Sequence, residues 1–376
     1  MPREWIDDSH QWESICQHWL GPTVSRLAID TEFERRTTFY PIFALLQVFD
    51  GKKIYIVDPQ VIKKSTNFKK LCANSSITKI MHAGKEDLEV LYHLWDCKIN
   101  NFFDTQVVNA FVSGEASLGY AGLVERVCGV TLDKQQTQSD WLIRPLSSKQ
   151  IDYAANDVAY LFEIHDELLS KAENKPFESI MNKELIEISD TILGVANHQD
   201  AYRQAKDVSK LNGTQLSIFK ALFDWREVVA RSQNKTRNHI FKDHQLVEIC
   251  IRLPKSKKVL QQIESVHPKA VRVFGDEILD LLQFTLNQKL APLEPVINPR
   301  DIQGLKPFMN KLSKDVEKVA KAFGVAASLV MSKRQLRKVA VSLITGETMP
   351  EIMNGWRGEL LMSDFRHHLS QFESSN

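Results

Sequence analysis

Val24-Ser25-Arg26-Leu27-Ala28-Ile29-Asp30-Thr31-Glu32-Phe33 is an apolar run that turns acidic at its end. Three apolar residues in sequence followed by Asp-x-Glu predict a buried strand whose last residues reach a sheet edge, where a ligand can approach. Residues 43–49 and 53–57 read as two further strands, and Asp50-Gly51 between them is a strong hairpin signal. A helical stretch at 66–73 leads to a fourth strand at 78–82. Residues 85–95 then carry Leu88, Leu91, Tyr92 and Trp95 at helical spacing. A short fifth strand is expected at 101–104, and the chain reads as mostly helical from there to about residue 195. A three-strand meander followed by strand–helix alternation predicts an α/β domain with a mixed sheet.

Composition sets the limits around that reading. The chain has 376 residues, 43% of them hydrophobic and 25% charged, as in an ordinary soluble globular protein of two or three domains. No window of 18 or more apolar residues occurs, so no membrane span is expected. The start, Met1-Pro2-Arg3-Glu4-Trp5-Ile6-Asp7-Asp8, is too acidic and polar for a signal peptide. The five cysteines, Cys16, Cys72, Cys97, Cys128 and Cys250, are odd in number and scattered, which argues against a disulfide framework and against zinc. The expected compartment is the cytoplasm.

The net charge of +1 conceals a division. Residues 1–200 hold 20 Lys+Arg against 29 Asp+Glu, and residues 201–376 hold 28 against 18. A basic half behind an acidic one suggests a nucleic-acid-binding region that serves a metal-binding one. Its densest clusters are Lys255-Ser256-Lys257-Lys258 and Lys333-Arg334-Gln335-Leu336-Arg337-Lys338. This half shows no convincing strands. It divides into helical modules at 211–290 and 295–376, joined by Ala291-Pro292-Leu293-Glu294-Pro295. The modules resemble each other at an offset of 90 residues: Leu222, Val229, Ala230, Gln245, Leu246 and Leu253 recur as Leu312, Val319, Ala320, Gln335, Leu336 and Leu343.

Five residues of the acidic half carry chemistry. Asp30 and Glu32, two apart on a strand, project from one face. Asp87 falls in the first turns of the helix after the fourth strand, where a carboxylate is favoured by the helix dipole. Tyr153 and Asp157, four apart on a helix, share a face. Four carboxylates from three elements suit Mg²⁺ or Mn²⁺, which prefer oxygen ligands, and two such ions are a known means of cleaving a phosphodiester. No Gly-x-x-x-x-Gly-Lys-Ser/Thr loop occurs, which disfavours a nucleotide triphosphatase.

Together, Ile29-Asp30-Thr31-Glu32-Phe33, His82-Ala83-Gly84-x-Glu86-Asp87-Leu88 and Tyr153-Ala154-x-x-Asp157-Val158 resemble the ribonuclease D family, within the exonuclease superfamily known by its Asp-Glu-Asp-Asp set. Tyr153 in place of His ahead of the last acid marks the Tyr subgroup. Phe103-Asp104-Thr105-Gln106 is similar to the family as well. Leu222-Phe223-Asp224-Trp225-Arg226-Glu227 and Arg237-Asn238-His239-Ile240 resemble the HRDC domain, which the family shares with RecQ-type helicases. The last module is assigned mainly from the internal repeat, because its Trp356-Arg357 sits late in the module, unlike Trp225-Arg226.

The resemblance implies an α/β ribonuclease H-like mixed-sheet nuclease domain followed by two all-α HRDC-like domains. The expected boundaries are 1–200, with a core at about 24–170 and then a helical linker, 211–290 and 295–376. It implies a 3′–5′ exoribonuclease that releases nucleoside 5′-monophosphates with two divalent ions, Mg²⁺ or Mn²⁺. The implied partner is RNA with a free 3′ end, by analogy a transfer-RNA precursor; a monomer is the simpler expectation for the chain. On that scheme Asp30 bridges the ions, Glu32 and Asp157 hold the ion that carries the attacking water, and Asp87 supports the second. Tyr153 orients the water; with an ordinary pKa of about 10 a phenol is a poor base near neutrality. The family also puts His82 near the substrate, against a plain reading as a satisfied histidine at a strand end. Phe33 stacks on the terminal base or belongs to the core. Asp152 should lie on another helix face, and Asp104 should act structurally. A DNA 3′–5′ exonuclease uses the same carboxylates, and a non-catalytic nucleic-acid-binding scaffold could keep the fold; intactness of all five residues speaks against the latter.

Overall fold

The computed structural model describes residues 1–96, 98–115, 118–133, 139–194, 200–288 and 291–374, which fall into two compact units. The first comprises residues 1–34, 42–196 and 305–376, and the second residues 35–41 and 197–304.

The first unit is built on a six-stranded mixed sheet: β1 (Arg3–Ile6), β2 (Arg26–Glu34), β3 (Ile42–Phe49), β4 (Ile54–Val57), β5 (Thr78–Met81) and β6 (Phe102–Asp104), in the order β1-β4-β3-β2-β5-β6. The β2–β3–β4 meander is antiparallel, and β1, β5 and β6 add in parallel at its flanks. The expected core began near residue 24, whereas the sheet begins at Arg3. β1 escapes a pattern search because it is a four-residue edge strand, and only Ile6 of its residues is fully buried. Among the described residues nine helices accompany the strands: α1 (Ser9–Trp19), α2 (Pro59–Ile62), α3 (Thr66–Ala73), α4 (Lys85–Trp95), α5 (Thr105–Ser113), α6 (Tyr120–Cys128), α7 (Ser148–Ala159), α8 (Leu161–Ala172) and α9 (Glu178–Gly194).

The strand alternation divides these helices between two layers. Arg26 and Phe49 share one face and both meet Phe162 of α8, so α7 and α8 cover that side. On the other face Tyr55 packs edge-on against Trp19 of α1. Buried Lys79 caps carbonyls at the end of α3 and beyond it, those of Leu71, Asn74 and Ile77.

The second unit holds α10 (Gly213–Ser232), α11 (Arg237–Ile240), α12 (Asp243–Arg252), α13 (Lys257–Gln261) and α14 (Pro268–Asn287) around a core with Phe219, Leu222, Phe241 and Ile278. Residues 35–41, which connect β2 to β3, belong here: the guanidinium groups of Arg231 and Arg237 lie 4.7 and 4.9 Å from the centre of the Phe39 ring. The last module, α15 (Leu305–Phe323), α16 (Ala327–Val330), α17 (Lys333–Thr345) and α18 (Trp356–Glu373), clusters with the six-stranded sheet of the first unit instead.

No strand follows β6 among the described residues, and no helix among them is long and apolar enough to cross a membrane. Cys16, Cys72, Cys128 and Cys250 are free thiols, and Cys97 lies outside the described residues.

Candidate active site

The site forms where β2 runs out of partners. β3 pairs with β2 as far as Glu34, but β5 pairs only with Arg26–Ala28. Beyond Ala28 one edge of β2 is open, and the acidic residues begin there. Asp30 and Glu32 point to the face covered by α7. Thr31 between them points to the opposite face and is buried.

An open edge leaves backbone donors that need acceptors. The Thr31 N–H donates to Asp87 Oδ1 at 3.2 Å, and the Thr31 hydroxyl donates to the same oxygen. Asp87 therefore occupies the place of a β5 ladder partner, and it comes from the first turn of α4 as its position in the sequence predicts. Its approach is set by Asp104, a carboxylate 2% exposed that accepts from the N–H groups of Ala83 at 3.0 Å and Gly84 at 2.9 Å. The same side chain caps α5 through Gln106 and Val107. Ala83 stands at φ 54°, and a Cβ on Gly84 would lie 2.7 Å from that of Met81, so the turn from β5 to α4 admits little else. Asp104 thus has the structural role expected of it, and it positions Asp87.

α7 lies close across β2, β3 and β4 because its sheet side is Ala154, Ala155 and Val158. A Ser147–Gln150 capping box starts the helix. Asp157 then meets Asp30 and Glu32, and the three offer oxygens within 4.8 Å of one another. Tyr153, one turn earlier, is half-buried with its ring 5.9 Å from that of Trp141. Asp152 faces away, exposed and paired with Arg3 of β1.

Sequence reasoning missed three supports. Arg144 donates to the Ala44 carbonyl at 2.7 Å, where β3 carries a bulge, and pairs with Asp58 at 2.9 Å. It thereby pins the segment that brings Trp141 to Tyr153. Tyr120 donates to the Asn156 carbonyl at 2.8 Å and accepts from Tyr160 N–H at 3.3 Å, bracing the end of α7 beside Asp157. Thr31, the tether of Asp87, looks from the sequence like a spacer between two acids. None of the three has a spacing signal, since each acts on backbone or on residues distant in the chain.

His82 and Phe33 border this region. His82 Nδ1 is 2.9 Å from Thr105 Oγ1, whose hydroxyl donates onward to the Met81 carbonyl, so Nδ1 is assigned as the donor. Its ring packs against Tyr120, and burial lowers its pKa to about 4, keeping the imidazole neutral. Phe33 follows the bulge and is half-buried.

The electrostatics are those of an acidic site without a counterion. Burial first, and then repulsion from Asp87, Asp157 and Glu32, drives the Asp30 carboxyl well above its ordinary range. Burial, with Asp157 and Asp87 adding repulsion, pushes Glu32 up to about 9. Asp157 rises to about 8, by burial and Asp87; Asp87 rises to about 6 by burial, held back by its bonds from Thr31. No lysine or arginine is among the groups that shift these four. An all-oxygen cluster in want of positive charge fits a hard divalent cation.

Residues 3–173 match the 3′–5′ exonuclease family, residues 215–282 the HRDC domain, and residues 304–365 the C-terminal HRDC domain of ribonuclease D. The sheet and the carboxylates at its open edge thus lie in a 3′–5′ exonuclease domain, followed by two HRDC domains. The chain is 33% identical to ribonuclease D of Cronobacter turicensis over 354 residues, covering 93% of this chain and 95% of that one. It is 32% identical to ribonuclease D of Escherichia coli over 350 residues, 92% of each. The chain belongs to the ribonuclease D family. The crystal structure of Escherichia coli RNase D, described as an exoribonuclease involved in structured RNA processing, matches with a TM-score of 0.90 and 30% identity over 99% of this chain and 100% of that one.

Proposed function

We propose that Asp30, Glu32, Asp87, Tyr153 and Asp157 form the active site of a metal-dependent 3′–5′ exoribonuclease that trims transfer-RNA precursors and releases nucleoside 5′-monophosphates. Membership of the ribonuclease D family makes the chain a 3′–5′ exoribonuclease. The observation that carries the residue assignment is the meeting of Asp30, Glu32 and Asp157 within 4.8 Å, with Asp87 tethered to the residue between the first two. Structured-RNA processing by the Escherichia coli relative supports a folded RNA with a 3′ tail as substrate.

Two divalent cations, Mg²⁺ or Mn²⁺, held by Asp30, Glu32, Asp87 and Asp157, would supply the positive charge that steadies the attacked phosphate and the departing 3′ oxygen. Asp30 offers an oxygen within 4.8 Å of those of both Glu32 and Asp157, and would serve as the ligand shared by both cations. Asp87 has one oxygen engaged by Thr31, which holds the other in a fixed orientation. Tyr153, on the α7 face that carries Asp157, orients the attacking water through its hydroxyl. His82, neutral and ordered by Thr105, borders the substrate with Phe33. One chain supplies all five residues, which supports a monomer, and we assign it to the cytoplasm.

RNA would be gripped by basic helix faces. On α17, Lys333, Arg334 and Arg337 are exposed and have no acidic partner within 4 Å among the described residues. On α15, Lys311, Lys314, Lys318 and Lys321 form an exposed stripe at helical spacing, likewise without acidic partners among those residues. Binding through such side chains gives affinity independent of sequence.

The test is trimming of a precursor transfer RNA with Mg²⁺ and Mn²⁺ compared. Asp30→Asn should abolish nucleotide release by a factor of at least ~10³ while RNA binding survives. Tyr153→Phe should depress kcat with little change in Mn²⁺ affinity. Near-normal turnover by Asp30→Asn would refute the assignment.

A further inference from the structure

β3 is an apolar strand with one polar residue in its interior. Gln47 is 0% exposed, and neither its Oε1 nor its Nε2 has a hydrogen-bond partner among the described residues. Buried carboxamides are nearly always paired, and each orphaned group costs about 1–3 kcal/mol. A filler role would be served better by methionine, which has similar volume and nothing to satisfy. An unsatisfied amide retained at this position calls for a partner that comes and goes.

The sheet register says where that partner arrives. Gln47 is paired directly with Asp30 across β2 and β3, so both side chains leave the same face, with Cβ atoms about 4.5–5.5 Å apart. Ile56 of β4 flanks Gln47 on its other side, and α7 closes over the top. The carboxamide thus lies beside the carboxylate on which Glu32, Asp87 and Asp157 all act.

We propose that Gln47 is a positioning residue of the metal site: its Nε2–H donates to the ionised Asp30 carboxylate, and its Oε1 accepts from water that a bound cation brings with it. The inference rests on the reading of the acidic cluster as a cation site. The amide, idle in the absence of a cation, would thereby fix which way the Asp30 carboxylate faces once the site is filled. Groups that hold a ligand in this manner typically tune metal affinity 10–100-fold.

The experiment uses the full chain, stripped of metal, with Mn²⁺ as the probe. Calorimetric titration gives the affinity, and thermal unfolding with and without Mn²⁺ gives the linkage. Gln47→Met should leave metal-free Tm unchanged or higher, weaken Mn²⁺ binding ~10-fold or more, and shrink the Mn²⁺-induced rise in Tm. Affinity within ~2-fold of the parent, or a metal-free Tm that falls while affinity holds, makes Gln47 a filler and overturns the proposal. Should Gln47→Met not fold, Gln47→Asn keeps the amide one methylene short, and unchanged Mn²⁺ affinity there overturns it equally. Asp30→Asn separates the two ideas. If the parent shows no Mn²⁺ stabilisation, the cation site itself fails. If Asp30→Asn loses Mn²⁺ and Gln47→Met does not, only the role of Gln47 fails.

Discussion

Four carboxyl groups crowded into a partly buried cleft store free energy that a cation releases. Burial and mutual repulsion raise Glu32 from 4.5 to about 9 and Asp157 from 3.8 to about 8. In this window the folded state keeps protons that the unfolded chain has already released. The cluster's contribution to stability is therefore fully present below pH ~4 and lost as pH rises through about 8 to 9. The metal-free protein should show this as a gap that opens with pH: Asp30→Asn, which removes a carboxyl that the unfolded chain ionises far more readily than the folded site, should melt progressively above the parent between pH 5 and 9. Added Mn²⁺ should stabilise the parent most at the alkaline end. Melting curves that stay parallel across that range would mean the four groups do not repel one another. The acids were legible from their types and spacing. Thr31 was not, because its tether to Asp87 depends on where the β5 ladder stops.

Elements carry the next level of meaning. Strand alternation and helical spacing in the chain correctly indicated β2 to β6, α4 and the α7 face that bears Tyr153 and Asp157, since those patterns are local. The repeated Gln-Leu proves to have a local cause too. Gln245 and Gln335 each sit at the third position of a helix and accept from the cap residue's N–H, Lys242 at 2.7 Å and Ser332 at 2.8 Å. The repeated leucines diverge at the end: Leu253 is a left-handed cap after α12, whereas Leu343 lies inside the longer α17. The displaced Trp-Arg pair resolves in three dimensions. Arg226 from α10 bonds the Phe241 carbonyl after α11, and Arg357 from α18 bonds Val330 and Leu329 at the end of α16. Different helices thus supply the same buried guanidinium to equivalent turns. Arg357 is balanced by Glu184 of α9 at 2.5 Å, which also accepts from Trp356 Nε1 at 2.7 Å. Glu184→Ala should strand that buried charge and cost about 3–5 kcal/mol. Glu184→Gln, which keeps the acceptor, should cost less. Denaturant unfolding of both variants decides it, and equal, negligible losses would show the bridge to be ornamental.

Across the whole molecule, charge and packing divide the work. The acidic half carries the carboxylates, and the basic half carries Lys311, Lys314, Lys318 and Lys321 on α15 and Lys333, Arg334 and Arg337 on α17, which have no acidic partner within 4 Å among the described residues. The last module, however, belongs to the compact unit of the nuclease sheet. Deleting residues 291–376 would uncover α9 as well as remove positive charge, so substitution on the surface is the cleaner test. Lys333→Gln, Arg334→Gln and Arg337→Gln together should weaken RNA binding and lower the slope of log affinity against log salt by up to about 2, roughly 0.7 for each phosphate no longer neutralised. Unchanged binding across a salt titration would leave α17 as a solubilising face.

By itself the sequence determined the order of strands β2 to β6, the two helical modules and the choice of five candidate residues, because each is written in periodicity, spacing and residue type. It also carried the family, through motifs that lie within single elements. The tertiary structure decided what those residues do to one another. The edge strand β1, the tether from Thr31 to Asp87, the grip of Asp104 on the turn before α4, the idle amide of Gln47 and the lock of Glu184 on Arg357 join positions dozens of residues apart or more. A local pattern holds no record of such pairs. They exist only once the strands are in register and a buried polar group must find its partner.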